Sequence, residues 1–148
     1  MNDLSDFLIK TKDKRVVFTN GCFDILHRGH VTYLNEAKSL GDILVMGLNS
    51  DASVKRLKGQ ERPINSELDR KFVLENLRAV DYVFIFEEDT PYNLIKKIQP
   101  DVLVKGGDWK AEDIVGSDIV LNKGVVVKSL NFLNGLSTTK TIEKIKKN

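Results

Sequence analysis

The chain of 148 residues holds two histidines, and they stand three positions apart, His27 and His30, inside FTNGCFDILHRGHVTYLNEAK (18–38). An apolar run precedes them and a helical pattern follows. Asn20-Gly21 after a strand-like run makes a tight turn whose backbone amides can approach an anion closely. Gly29 lets the backbone come near a bound group where the helix begins. On a helical wheel His27, His30, Leu34 and Ala37 share one face. The apolar pair anchors that face to a sheet and leaves the imidazoles above it, at the helix amino end. Free amides and the positive end of the dipole make that end a phosphate site. Two imidazoles there can supply hydrogen-bond donors to charge growing on a phosphoryl oxygen. The plainer alternative is a pair that only packs a turn. The strand–turn–helix junction on which the tetrad sits favours the chemical reading.

Other groups bear on anions. Lys55, Arg56, Lys58 and Arg62 form a basic run after the second apolar stretch, a pattern that ordinarily means a solvated surface. Arg70 lies in the helical pattern Glu67–Ala79, within the arc of Val73, Leu74, Leu77 and Val80. A charge on a buried arc is costly unless paired. Either an acid such as Asp42 or Asp81 meets it, or it projects into a cleft toward a phosphate. Lys105-Gly106-Gly107-Asp108-Trp109 follows the fourth strand pattern. Its paired glycines allow close approach, Asp108 could accept from a ribose hydroxyl, and Trp109 could cover a base or a sugar; a plain turn with a packing tryptophan is the alternative. Gly135-Leu136-Ser137-Thr138-Thr139 brings hydroxyls and amides to the start of the last helix, again an anion site, although capping alone would explain Ser137. Neither GxxxxGK[ST] nor a GxGxxG after the first strand occurs, which excludes a P-loop and a dinucleotide fingerprint. Cys22 has no third partner for a Cys-His-Asn site and reads as a small buried residue. Two histidines and one cysteine cannot assemble a structural zinc site, so no metal ligands are assigned.

These loops need a frame. Strand patterns are Val16–Thr19, Ile43–Leu48, Tyr82–Phe86, Val102–Val104 and Val125–Ser129, near-continuous apolar runs of the kind covered on both faces. Helical patterns are Gly29–Ser39, Glu67–Ala79, Pro91–Ile98, a weaker one near Asp113–Lys123, and one after Ser137 running to about Lys146. The alternation predicts an α/β, Rossmann-like doubly wound domain with a parallel five-stranded sheet, one domain over residues 1–148. Residues 1–12 read as an N-terminal extension that frays with the last few residues. Ligands bind beyond the carboxyl ends of such strands, near a switch in strand order. The polar stretches Asn20–Asp24, Asn49–Arg62, Lys105–Trp109 and Leu130–Thr139 converge there. Composition is that of a soluble globular protein: 41% hydrophobic, 30% charged, net charge +2, too little for a nucleic-acid or membrane-surface partner. The first residues do not form a secretory signal, no apolar run is long enough to span a bilayer, and the single cysteine suits a reducing cytosol, which points to a cytoplasmic protein.

Asn20-Gly21-Cys22-Phe23-Asp24-Ile25-Leu26-His27-Arg28-Gly29-His30 resembles the HxGH signature of the nucleotidyltransferase superfamily. HxGH alone marks only the superfamily. NSDASVKRLKGQERPIN, VDYVFIFEEDTPYNLI, PDVLVKGGDW and LNFLNGLSTTK, spanning about Phe18 to Lys146, resemble the adenylyltransferase domain of bacterial ADP-heptose synthases, a narrower match. The resemblance implies the nucleotidyltransferase fold and the transfer of AMP from ATP to a heptose 1-phosphate, giving ADP-heptose and pyrophosphate for a surface glycan such as the lipopolysaccharide core. It implies magnesium, held mainly by the nucleotide. It implies catalytic roles for His27, His30, Lys55 and Arg70, and contacts of Lys55, Lys58 and Arg62 with the substrate phosphate. Asn20, Gly21, Cys22, Phe23, Gly29, His30, Gly107, Asp108, Ser137, Thr138 and Thr139 would surround the nucleotide, the last three at its β and γ phosphates. Relatives often carry a fused sugar kinase. None is present here, so a free-standing transferase with a separate upstream kinase is expected, as a homodimer. A glycerol 3-phosphate cytidylyltransferase is the nearest alternative; that family has an arginine where this chain has Phe132. A nucleotide-binding regulatory module without turnover is the alternative of another class.

Overall fold

The structure, a computed structural model, describes residues 3–107, 110–122, 126–130 and 137–147. Among the described residues, five strands form one parallel sheet: β1 (Val16–Gly21), β2 (Ile43–Asn49), β3 (Tyr82–Phe86), β4 (Val102–Gly106) and β5 (Val126–Leu130). Their order is β3-β2-β1-β4-β5, with Val16 opposite Ile43, Val45 opposite Tyr82, Val17 opposite Val102 and Val102 opposite Val126. The helices of the described residues are α1 (Leu4–Lys10), α2 (Arg28–Lys38), α3 (Asp51–Lys58), α4 (Glu67–Glu75), α5 (Tyr92–Ile98), α6 (Ser117–Asn122) and α7 (Thr138–Lys147), with a 3-10 turn at Ala111–Asp113.

Strand alternation divides the core. Val17, Leu44, Met46, Val102 and Val104 pack with Leu34 and Ala37 of α2 and Leu74 of α4. Val16, Phe18, Val45 and Leu103 pack on the other face with Ile95 and Ile98 of α5. Both faces are thus dry, which is why the strands read as unbroken apolar runs. At the amino edge of the sheet three amides of β1 and β2 and the turn before β1 meet carboxylates: Arg15 N–H donates to Asp42 (2.9 Å), Val16 N–H to Asp101 (2.8 Å) and Leu44 N–H to Asp81 (2.8 Å).

Four expectations change. Residues 4–10 form a helix instead of fraying, because Asp3 caps it and Phe7, 1% exposed, packs edge-on against Tyr82 (4.9 Å) and Phe84 (5.5 Å). The basic stretch after β2 is helical, not a loop: Ser50 accepts from Ser53 N–H at 3.1 Å, and Val54 is fully buried. Helix α4 stops at Glu75, four residues early, where the Asn76 amide turns back to Leu74 and Val73. The helical pattern near 113–123 splits at Gly116, whose φ of +88° suits glycine. Among the described residues, no helix is long and apolar enough to cross a membrane.

Candidate active site

The strand order reverses between β1 and β4, and a cavity of about 630 Å³ opens there at the carboxyl ends, the size of a small-molecule site. Its walls include the β1–α2 loop, the amino ends of α2 and α7, the last turn of α3 and the end of β4.

His27 is the N-cap of α2. Its Nδ1 accepts from Gly29 N–H at 3.1 Å, while Nδ1 of His30 accepts from His27 N–H at 3.2 Å. Each histidine therefore caps for the other. A backbone amide only donates, so neither Nδ1 carries a proton and each neutral ring bears its hydrogen on Nε2. The rings stack at 3.9 Å and 21°. Burial, with His27 alongside, pushes the His30 pKa down to about 4, and burial lowers that of His27. Leu34 and Ala37 are fully buried beneath the pair, as the helical wheel requires. Phe23, at φ +46°, turns the chain into the helix with its ring 5.2 Å from His30. The result is a pair of neutral N–H donors in a half-buried wall, suited to phosphoryl oxygens and unsuited to taking a proton at neutral pH.

The other site residues separate. Asn20, Gly21, Cys22, Phe23, Gly29, Lys58, Arg62, Ser137, Thr138 and Thr139 line the cavity with the histidines. Burial pushes the Cys22 thiol up. The Ser137 hydroxyl caps α7 by accepting from Lys140 N–H (3.0 Å), and Thr138 donates to the Ile25 carbonyl (2.9 Å), tying α7 to the β1–α2 loop. Lys55 is a correction: it lies exposed on α3 and does not line the cavity, whereas Lys58, in the last helical turn, does. Gly107 adopts φ +103° just past β4. Asp108, Trp109, Phe132, Gly135 and Leu136 lie outside the described residues.

Arg70 is the larger correction. Its side chain is fully buried and meets neither Asp42 nor Asp81 nor the cavity. Nε donates to Asn65 O (2.9 Å), Nη1 to Cys22 O (2.8 Å) and Asn49 O (2.9 Å), and Nη2 to Asp51 (2.8 Å). It binds together the ends of β1 and β2, the start of α3 and the loop before α4. The two acids named from sequence are occupied at the opposite edge of the sheet. Arg62 also has a partner, donating through Nε to Asp24 (2.9 Å) while lining the cavity.

Two residues stand in stretches that the sequence places at the rim but received no role there. Asp24, 4% exposed, accepts from Ile64 N–H (2.7 Å) and Asn65 N–H (2.8 Å) as well as Arg62. Burial pushes its carboxyl up, but the amides of Asn65 and Ile64 and the Arg62 guanidinium outweigh this and hold its pKa below the ordinary value. Its place within the quoted motif was the available signal. Lys105, the half-buried next-to-last residue of β4, also lines the cavity, and burial lowers its pKa with Lys58 adding to the effect. A lysine at the carboxyl end of a core strand was its signal.

The chain can be compared with known proteins on this geometry. The family model described as cytidylyltransferase-like matches residues 18–144. The bifunctional protein HldE of a Nitratiruptor species is 56% identical over 151 residues, covering 99% of this chain and 32% of that protein. The protein of the same name from Campylobacter concisus is 60% identical, covering 99% and 30%. The chain thus spans about a third of the length of the curated relatives it matches. The crystal structure of the lipopolysaccharide core biosynthesis protein from Thermoplasma volcanium is similar at a TM-score of 0.63 and 30% identity, over 81% of this chain and 97% of that one. Pantothenate synthetase from Thermus thermophilus shares the fold, at a TM-score of 0.59 and 15% identity over 97% of this chain and 69% of that one. With the histidine pair at the strand-order switch and a family match over nearly its whole length, this chain belongs to the cytidylyltransferase-like family.

Proposed function

We propose that this chain is an adenylyltransferase that moves AMP from ATP to a heptose 1-phosphate, giving ADP-heptose and pyrophosphate for a bacterial surface glycan. The observation that carries it is the reciprocal cap of His27 and His30, which presents two neutral Nε2–H donors at the amino end of α2. An oxygen of the sugar phosphate attacks the α-phosphorus, the new P–O bond forms, and the bond to the bridging oxygen breaks as pyrophosphate leaves with its electron pair. The attacking oxygen is already ionised, so no proton needs to be removed. Catalysis reduces to positioning and to neutralising charge on phosphoryl oxygens. The histidine pair donates to those oxygens, the α2 and α7 amides hold the triphosphate, and Lys58 meets the attacking phosphate.

Magnesium enters with ATP, held mainly by phosphate oxygens. The enzyme works in the cytoplasm as a homodimer, a state that light scattering measures directly. Its acceptor must arrive already phosphorylated by a sugar kinase. The identity of 56% and 60% to proteins called bifunctional supports assigning one of two activities to a segment of this length. The test is pyrophosphate release from ATP and magnesium with each anomer of heptose 1-phosphate. Turnover with one anomer is expected. Preference for CTP with glycerol 3-phosphate, or ATP binding with no turnover of any sugar phosphate, would overturn it.

A further inference from the structure

The cavity reaches both faces of the sheet. Val102 and Val104 face α2 and α4, whereas Leu103 faces α5, so Lys105 leaves β4 on the face away from the histidines. There it shares the cavity wall with Lys58, Pro91, Ile114, Asp89 and Asp113, none of which has been given a part in holding ATP or the leaving group. The place is fixed. Pro91 precedes α5, Ile114 packs into the same core cluster as Leu103 and Ile95, and Arg56 of α3 holds Asp89 at 2.9 Å. Half-buried Lys105 and exposed Lys58 line the same cavity, and burial disfavours the charged Lys105, with Cys22 opposing that effect and Lys58 adding to it. An anionic group bound by both lysines favours their charged forms. In adenylyl transfer the triphosphate belongs to the amino ends of α2 and α7, so the anion left to place is the phosphate of the acceptor. It has to approach the α-phosphorus from the switch point, and β4, which carries Lys105, is paired to β1 there. The apolar surfaces of Pro91 and Ile114 suit the carbon face of a sugar, and the carboxylates of Asp89 and Asp113 suit its hydroxyls.

We propose that this second lobe is the acceptor pocket, and that Lys105, with Lys58, binds the phosphate of the incoming sugar phosphate. The assignment rests on the adenylyl transfer proposed above, and two measurements separate the two. In steady-state assays of pyrophosphate release, Lys105→Met raises the acceptor KM by about tenfold to a hundredfold, the loss of one hydrogen bond to a charged group, with the ATP KM within about twofold of its starting value; Lys105→Arg recovers part of the loss. In the unmodified protein, acylation of Lys105, read by peptide mass spectrometry, is suppressed by heptose 1-phosphate and not by ATP, which requires no variant to fold. A raised ATP KM with an unmoved acceptor KM, or protection of Lys105 by ATP alone, overturns the acceptor pocket while turnover itself leaves the transferase intact. Absence of turnover with every sugar phosphate overturns the transferase instead.

Discussion

Protonating either imidazole of the pair has to break a cap. The ring hydrogen already sits on Nε2, so an added proton goes to Nδ1, which is occupied as acceptor for Gly29 N–H in His27 and for His27 N–H in His30. The motif and its spacing were legible in the sequence; the tautomer was not, because it depends on two bonds that exist only once the turn has folded. Long-range nitrogen–proton NMR should show Nε2–H on both rings and a His30 titration near 4. An Nδ1–H signal on either ring would contradict the donor role. The sign for stability follows from the direction of the shift. The unfolded chain protonates His30 near 6.5 and the folded one near 4, so its contribution is whole above 6.5 and fades as pH falls from 6.5 to about 4. His30→Ala should flatten that part of a plot of Tm against pH, cost about 1 kcal/mol for the lost cap, and lower kcat by about 100- to 1,000-fold if the ring stabilises the transition state. Such a kcat loss exceeds what a cap alone explains.

At the scale of elements, the loops around the cavity are fastened by two charged groups that the sequence placed differently. Arg70 was legible as a buried charge needing a partner, but its partners are three carbonyls and Asp51, the first residue of a helix that the basic run concealed. A stretch rich in lysine reads as loop by composition; Ser50 and Val54, the cap and the anchor, were the signals that it is a helix. Arg70→Met should therefore act on stability first, costing about 3–5 kcal/mol in urea denaturation because Asp51 and the carbonyls lose their buried partner, with Arg70→Lys only partly restoring it. A variant of unchanged stability that has lost only its turnover would return Arg70 to a phosphate-binding role. Asp24 fastens the neighbouring loop, and its lowered pKa means that its contribution is present above the unfolded carboxyl pKa and lost as pH falls through the folded one. The amino-terminal helix was missed because seven residues with one deeply buried side chain leave little periodicity to read. Phe7→Ala should cost about 3–5 kcal/mol, and a loss well under 1 kcal/mol would mean that α1 is no part of the core.

For the molecule as a whole, the five parallel strands and the placing of ligands at their carboxyl ends were legible because unbroken apolar runs and alternating helices admit few other arrangements. Strand order was not written in any one segment, yet it decides the site: β1 and β4 lie side by side although 80 residues separate Gly21 and Val102. The crossover between them opens the crevice toward both faces of the sheet, with the histidines and α7 at one side and Lys105, Pro91 and Ile114 at the other. A crevice so divided should bind its two substrates together and not in exchange. Thermal unfolding tests this with an ATP analogue whose α,β bridge is a methylene group, so that no transfer occurs, and heptose 1-phosphate. Each ligand at a hundred times its Kd should stabilise the protein by about 2.7 kcal/mol, roughly 5–10 °C in Tm for a domain of this size, and the two shifts should add. A combined shift no larger than the greater of the two alone would mean that donor and acceptor compete for one lobe, and an in-line attack from the Lys105 side would then have no room to occur.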